Sequence, residues 1–143
     1  MTVKRLFLDD IRHNFDALQM LGYVVYKEPW EIVRNYDEFK AWIQKNGLPD
    51  LISFDHDLAD THYTPKEYWS DYHKSAEYQA SLTHTEKTGL DCAKWLVDYC
   101  LDNELKLPKY LVHSANPVGR DNIFYHLKNF EIFQKTVLKY ENY

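Results

Sequence analysis

The chain has no run of basic residues, and its formal charge is −5. Nucleic-acid duplexes are gripped through their phosphates, which takes a positive face. Duplex or non-specific DNA and RNA binding is therefore disfavoured. A small phosphate ester held through a metal ion remains compatible with this charge. Cysteine is scarce too, with only Cys92 and Cys100. Both fall in one predicted helix, where eight residues separate them by roughly 12 Å at 1.5 Å each. That is too far for a disulfide, so two buried thiols are expected, as suits a reducing cytoplasm. A signal-peptide pattern is lacking, because Asp9 and Asp10 interrupt the N-terminal apolar run. No apolar stretch approaches transmembrane length, so no membrane role is expected. Internal repeats and low-complexity segments are missing as well.

What is there suits one domain. The 143 residues are 45% hydrophobic, enough to bury a single core. Lys4 to Asp10 reads as a short buried strand that stops at two carboxylates, since a continuous apolar run flanked by charge marks a central parallel strand. Residues 11–29 fit either a short helix or a long loop, with Pro29 against a regular element there. Residues 30–35 alternate apolar and polar, as an edge strand does. A helix follows, with Asp37 as its expected N-cap and Phe39, Trp42 and Ile43 on one face. Gly47 fits its C-terminal cap and Pro49 comes after it. Asp50 to Phe54 is the next buried strand and leads into Asp55-His56-Asp57.

Residues 59–88 break the pattern. They are polar, rich in Tyr and His, and too long for an ordinary connection, so an inserted flap is expected over about 59–88. Thr88-Gly89-Leu90-Asp91 resembles a capping box. Leu90, Ala93, Val97 and Cys100 then recur at helical spacing. Pro108 ends that unit. Tyr110-Leu111-Val112 forms a further central strand, running into His113-Ser114-Ala115-Asn116-Pro117. Asn116 and Pro117 read as N-cap and first helical position, and Ile123, Leu127 and Phe130 as the apolar face of that helix. In the tail, residues 131–143, a fifth strand is open over Phe133 to Leu138.

Strands alternating with helices imply a parallel sheet, because parallel neighbours need crossovers. The expected fold is a three-layer α/β, flavodoxin-like sheet of order 2-1-3-4. Ligands in such sheets bind beyond the carboxyl ends of the strands, at the switch point between strands 1 and 3. Those ends carry Asp9-Asp10 and Asp55-His56-Asp57, and the fourth strand adds His113-Ser114. Carboxylates gathered on one rim raise each other's pKa unless a cation neutralises them. Asp9, Asp10 and Asp55 are therefore the expected ligands of a divalent ion. Oxygen donors favour Mg²⁺ or Ca²⁺, and a histidine moves the preference toward Mn²⁺. His56 and His113 are the candidate acid and base, with Asp57 beside them. His113 also fits a core histidine satisfied by a carbonyl. Ser114 suits a hydrogen bond to a phosphoryl oxygen. The helix after Asn116 would aim the N–H groups of Val118 and Gly119 at the same rim, and Arg12 and Arg120 suit phosphate forks.

These strand ends resemble those of response-regulator receiver domains. The closer resemblance is to the cyclic-phosphate-processing receiver family. It is carried by Leu6-Phe7-Leu8-Asp9-Asp10-Ile11-Arg12, Ser53-Phe54-Asp55-His56-Asp57-Leu58, Thr88-Gly89 and His113-Ser114-Ala115-Asn116-Pro117. That resemblance implies an enzyme acting on a cyclic or terminal phosphate of a nucleotide-like or RNA-end substrate. Receiver domains also end a fifth strand in a lysine, for which only Lys135 and Lys139 offer themselves. Two readings of function stand side by side. One is a metal-dependent phosphoesterase. The other is a non-enzymatic signalling module switched by phosphorylation of Asp55, which leaves Asp55 as either metal ligand or phosphoacceptor.

Overall fold

Leu6, Phe7 and Leu8 are all fully buried, which requires cover on both faces of their strand. The computed structural model describes residues 3–58, 73 and 87–139, and supplies that cover. The strands are β1 (Arg5–Leu8), β2 (Glu31–Val33), β3 (Leu51–Phe54) and β4 (Lys109–Val112). All pair in parallel, in the order β2-β1-β3-β4. This is the expected receiver-like sheet. The flap expected at residues 59–88 lies, but for His73, Lys87 and Thr88, outside the described residues.

The two faces have separate cores. Leu6, Leu8, Ile52 and Phe54 point to one side, where α2 (Tyr36–Asn46), α3 (Gly89–Asp102) and α4 (Pro117–Thr136) cover them. Phe7 points to the other side, against Ala17 of α1 (Asn14–Leu21) and Tyr26 of a 3₁₀ turn at Val24–Lys27. Strand alternation sorts the side chains this way. Cys92 and Cys100 belong to the larger core and carry free thiols, as expected.

Local chemistry explains the element ends. The open choice over residues 11–29 resolves as α1 plus the 3₁₀ turn. His13 and Asp16 form a capping box at the start of α1, and Gly22, in the left-handed region at φ 73°, closes it. The N-cap of α2 is Asn35, not Asp37. Its side chain accepts from Glu38 N at 2.8 Å, two residues earlier than expected. Gly47 caps the other end at φ 80°. Thr88 and Asp91 form the reciprocal capping box of α3.

The tail is a correction. Residues through Thr136 continue α4 instead of forming a fifth strand. Ile123, Leu127, Phe130 and Gln134 lie on one buried stripe at spacings of four, three and four. The buried amide of Gln134 accepts from Leu107 N and donates to Leu105 O, each at 3.0 Å. Those bonds anchor the last turns of the helix on the α3–β4 loop. No helix among the described residues is long and apolar enough to cross a membrane.

Candidate active site

The sheet register builds the rim. Leu8, Phe54 and Val112 lie level with one another. One step further, Asp9 N donates to Val33 O at 3.1 Å, Asp55 N to Leu8 O at 3.0 Å, and His113 N to Phe54 O at 2.9 Å. Asp9, Asp55 and His113 are thus neighbouring rungs where the ladder ends. One ligand atom from each lies within 4.8 Å of the others. All three are at most 1% exposed.

Both oxygens of Asp9 are engaged. Oδ1 accepts from Ile11 N at 3.0 Å and Arg12 N at 2.8 Å, while Oδ2 accepts from His113 Nε2 at 3.0 Å. Burial pushes the carboxyl up, but these hydrogen bonds outweigh it and hold the pKa below the ordinary value. Asp55 is treated differently. Its Oδ1 accepts from His56 N at 2.9 Å, whereas its buried Oδ2 has no hydrogen-bond partner among the described residues. Burial, then the charges of Asp9 and Asp57, push its pKa well above the usual carboxylate range.

Asp10 stands apart from the tight trio of Asp9, Asp55 and His113. It is half-buried, and its charge reaches Asp55 and adds to the upward shift there. The third rung is a histidine whose two ring nitrogens are both occupied, Nδ1 by Ser53 Oγ at 2.7 Å and Nε2 by Asp9. Proton transfer at His113 would first have to break one of these bonds. The ring is satisfied by side chains, not by a backbone carbonyl, and burial lowers its pKa.

A second cluster sits beside the first. His56 Nδ1 is 2.9 Å from Asp57 Oδ1, which also accepts from Asn116 Nδ2 at 3.4 Å. The carboxylate fixes the ring with Nδ1 as donor and leaves Nε2 for other work. Asn116 Oδ1 caps α4 by accepting from Gly119 N at 3.0 Å. The N–H of Gly119, expected to face a phosphate, is therefore spent within the cap. What Gly119 supplies is space, since a Cβ there would lie 2.3 Å from Cγ of His56. Gly89 has the same role at α3, where a Cβ would meet Asp55 O at 1.8 Å. That contact gives the Thr88-Gly89 pair its purpose.

Ser114 is 6% exposed, and its Oγ accepts from Asn116 N at 3.1 Å. Arg12 brings a guanidinium nitrogen to 3.9 Å from Asp9 Oδ2 while its side chain stays 26% exposed, next to a shallow groove shared with Ile11, Asp16 and Met20. Arg120 points outward instead. Its Nε lies 3.7 Å from Asp121 Oδ1, and it borders a groove with Tyr23 and Phe124.

Three contributors escaped the sequence reading. Arg34 donates to the carbonyls of Asp9 and Arg12 at 3.2 and 2.9 Å, tying β2 to the loop after β1. Tyr26 and Ser53 stand behind His113, 2.8 Å apart. A polar residue inside each apolar stretch was the available signal, Arg34 after Ile32-Val33 and Ser53 within Leu51-Ile52-Ser53-Phe54.

Parallel strands in this order, with acids at the ends of β1 and β3, define a receiver-like α/β domain. The chain belongs to the cyclic-phosphate processing receiver domain family, whose sequence model matches residues 4–129. Searches of curated proteins and of solved structures returned no match.

Proposed function

We propose that the protein is a metal-dependent phosphoesterase acting on a cyclic or terminal phosphate of a nucleotide-like or RNA-end substrate. One observation carries this reading. Asp55 Oδ2 is a buried carboxylate oxygen without a hydrogen-bond partner among the described residues, and its carboxylate faces that of Asp9. A buried polar atom left unsatisfied is costly, and a cation removes the cost. Two carboxylates and no thiolate suit Mg²⁺ or Mn²⁺. When bound, the ion supplies Lewis-acid polarisation of a phosphoryl oxygen.

The chain's own residues do the rest. Asp9 and Asp55 hold the ion, and Asp10 adds charge nearby. Arg12 and Ser114 bind phosphoryl oxygens beside it. Hydrolysis of a cyclic ester adds water to phosphorus and breaks one ring P–O bond, and the leaving oxygen takes a proton. His56 moves a proton through Nε2, its ring held by Asp57. Among the described residues the tail continues as helix and supplies no fifth strand ending in a lysine, which supports a ligand role for Asp55 over a phosphoacceptor role.

Thermal shift with Mg²⁺ and Mn²⁺, followed by a panel of cyclic and linear nucleotide phosphates, tests this reading. A metal-dependent rise in Tm with release of a linear phosphate is expected. Incubation with acetyl phosphate and Mg²⁺ should leave the intact mass unchanged. An adduct lost in Asp55→Asn would instead establish the phosphorylation switch.

A further inference from the structure

Behind Asp9 runs a single file of buried hydrogen bonds. Tyr26 Oη lies 2.8 Å from Ser53 Oγ, Ser53 Oγ 2.7 Å from His113 Nδ1, and His113 Nε2 3.0 Å from Asp9 Oδ2. All four side chains lie on the face of the sheet that also carries Phe7, and none is more than 1% exposed.

The direction of every proton in this file follows from its acidic end. A carboxylate only accepts, so Nε2 carries a hydrogen and donates. A neutral imidazole has one hydrogen, so Nδ1 accepts. The hydroxyl of Ser53 has one hydrogen and spends it on Nδ1. Tyr26 is then left to donate to Ser53. The surroundings keep both ends in these forms. His113 stacks on Phe7 with centroids 4.2 Å apart and planes 8° from parallel, and meets Tyr26 edge-on at 6.4 Å. That apolar packing disfavours an imidazolium. Burial also raises the Tyr26 phenol to about 12, so it keeps its proton.

Turned the other way, with hydrogen on Nδ1, the ring would set the bare Nε2 against Asp9 Oδ2, two acceptors 3.0 Å apart. Asp9 excludes that form, and the hydroxyl of Ser53, donating to Nδ1, anchors the ring from behind. The benefit reaches Asp9. Its Oδ1 already accepts two backbone hydrogens and its Oδ2 accepts one from His113. Of the roughly four lone-pair positions of a carboxylate, one on Oδ2 is left.

We propose that Tyr26 and Ser53 are positioning residues that hold the ring of His113 with Nε2–H aimed at Asp9, so that Asp9 offers a divalent ion one remaining lone pair of Oδ2. This rests on the metal-binding reading above and assigns two residues that never touch the ion. Partners of this kind commonly govern metal affinity by about 10- to 100-fold.

The test joins nitrogen NMR of the His113 ring with Mg²⁺ and Mn²⁺ titrations of the full chain. Wild type should show one tautomer, hydrogen on Nε2. Ser53→Ala, which leaves Nδ1 without its donor, should shift the Nδ1 resonance as the ring loses its anchor and weaken divalent-ion binding by about 10-fold or more. Ser53→Thr, which keeps a hydroxyl, should restore both. Tyr26→Phe, which keeps the ring packing, should weaken binding in the same direction by less. A mixed or Nδ1–H tautomer in wild type overturns the proposal, as does unchanged affinity in a folded Ser53→Ala. If wild type takes up neither ion, the metal-binding reading fails by itself. The wild-type and Ser53→Ala ring spectra then decide the anchoring of the ring separately.

Discussion

Asp55 and His113 make opposite demands on pH. Unfolded, Asp55 titrates near 3.8, and folding raises that value well above the ordinary range. Between the two values the folded chain binds more protons, so stability falls as pH rises. The pKa of His113 is lowered from 6.5. The unfolded chain therefore binds more protons as pH drops below 6.5, and stability is lost in that direction. Without divalent ions, wild type should lose stability as pH climbs from about 4 through the raised Asp55 value. Asp55→Asn should lack that decline and keep the loss on the acid side. Urea midpoints taken across pH decide the matter. Uptake of Mg²⁺ has to ionise Asp55, so about one proton should leave on binding. Calorimetry in buffers of different ionisation enthalpy counts it, and no proton release would argue against Asp55 as a ligand. His56→Ala should cut ester turnover by about 10²-fold or more if Nε2 transfers the proton. Full activity in that variant would remove His56 from the chemistry.

At the level of elements, two glycines seat helix starts against the rim. A Cβ on Gly89 would meet the backbone oxygen of Asp55 at 1.8 Å, and neither side yields easily. Gly89→Ala should push α3 off the end of β3 and cost about 3 kcal/mol, read as a lower urea midpoint. A Cβ on Gly119 would meet Cγ and Cβ of His56 at 2.3 and 2.7 Å, the near end of a buried side chain that cannot rotate clear. Gly119→Ala should therefore lower the urea midpoint as well and displace the His56 ring. An unchanged midpoint in either variant would contradict these seats. The strands were legible in the sequence because β1 and β3 are short apolar runs between charges, broken in β3 only by Ser53. Asp9, Asp55, His56 and His113 were legible because each follows such a run. α1 was not legible, since it leaves Phe15, Met20 and Leu21 exposed and so carries no clean apolar stripe. The tail misled because Gln134 is a polar residue on a buried face, which sequence periodicity counts as outward. Tyr26 and Ser53 meet His113 across large sequence separations, and such a meeting leaves no local pattern.

For the molecule as a whole, the two thiols report on global unfolding. Cys92 and Cys100 are fully buried in the core shared by α2, α3 and α4. Burial raises both pKa values, that of Cys100 to about 12. Thiolate, the reactive form, is scarce at neutral pH. An aromatic disulfide reagent should therefore label neither thiol in native buffer, and label both along the urea unfolding curve. Labelling well before the main transition would mean that α3 opens by itself. Arg34 has the opposite kind of reach. It directly follows the outermost strand, yet its guanidinium fastens the chain just past β1 where the acids stand. Fraying at the margin is ordinarily harmless, but here it would release the loop after β1, so the geometry of the acidic rim is tied to an edge of the sheet.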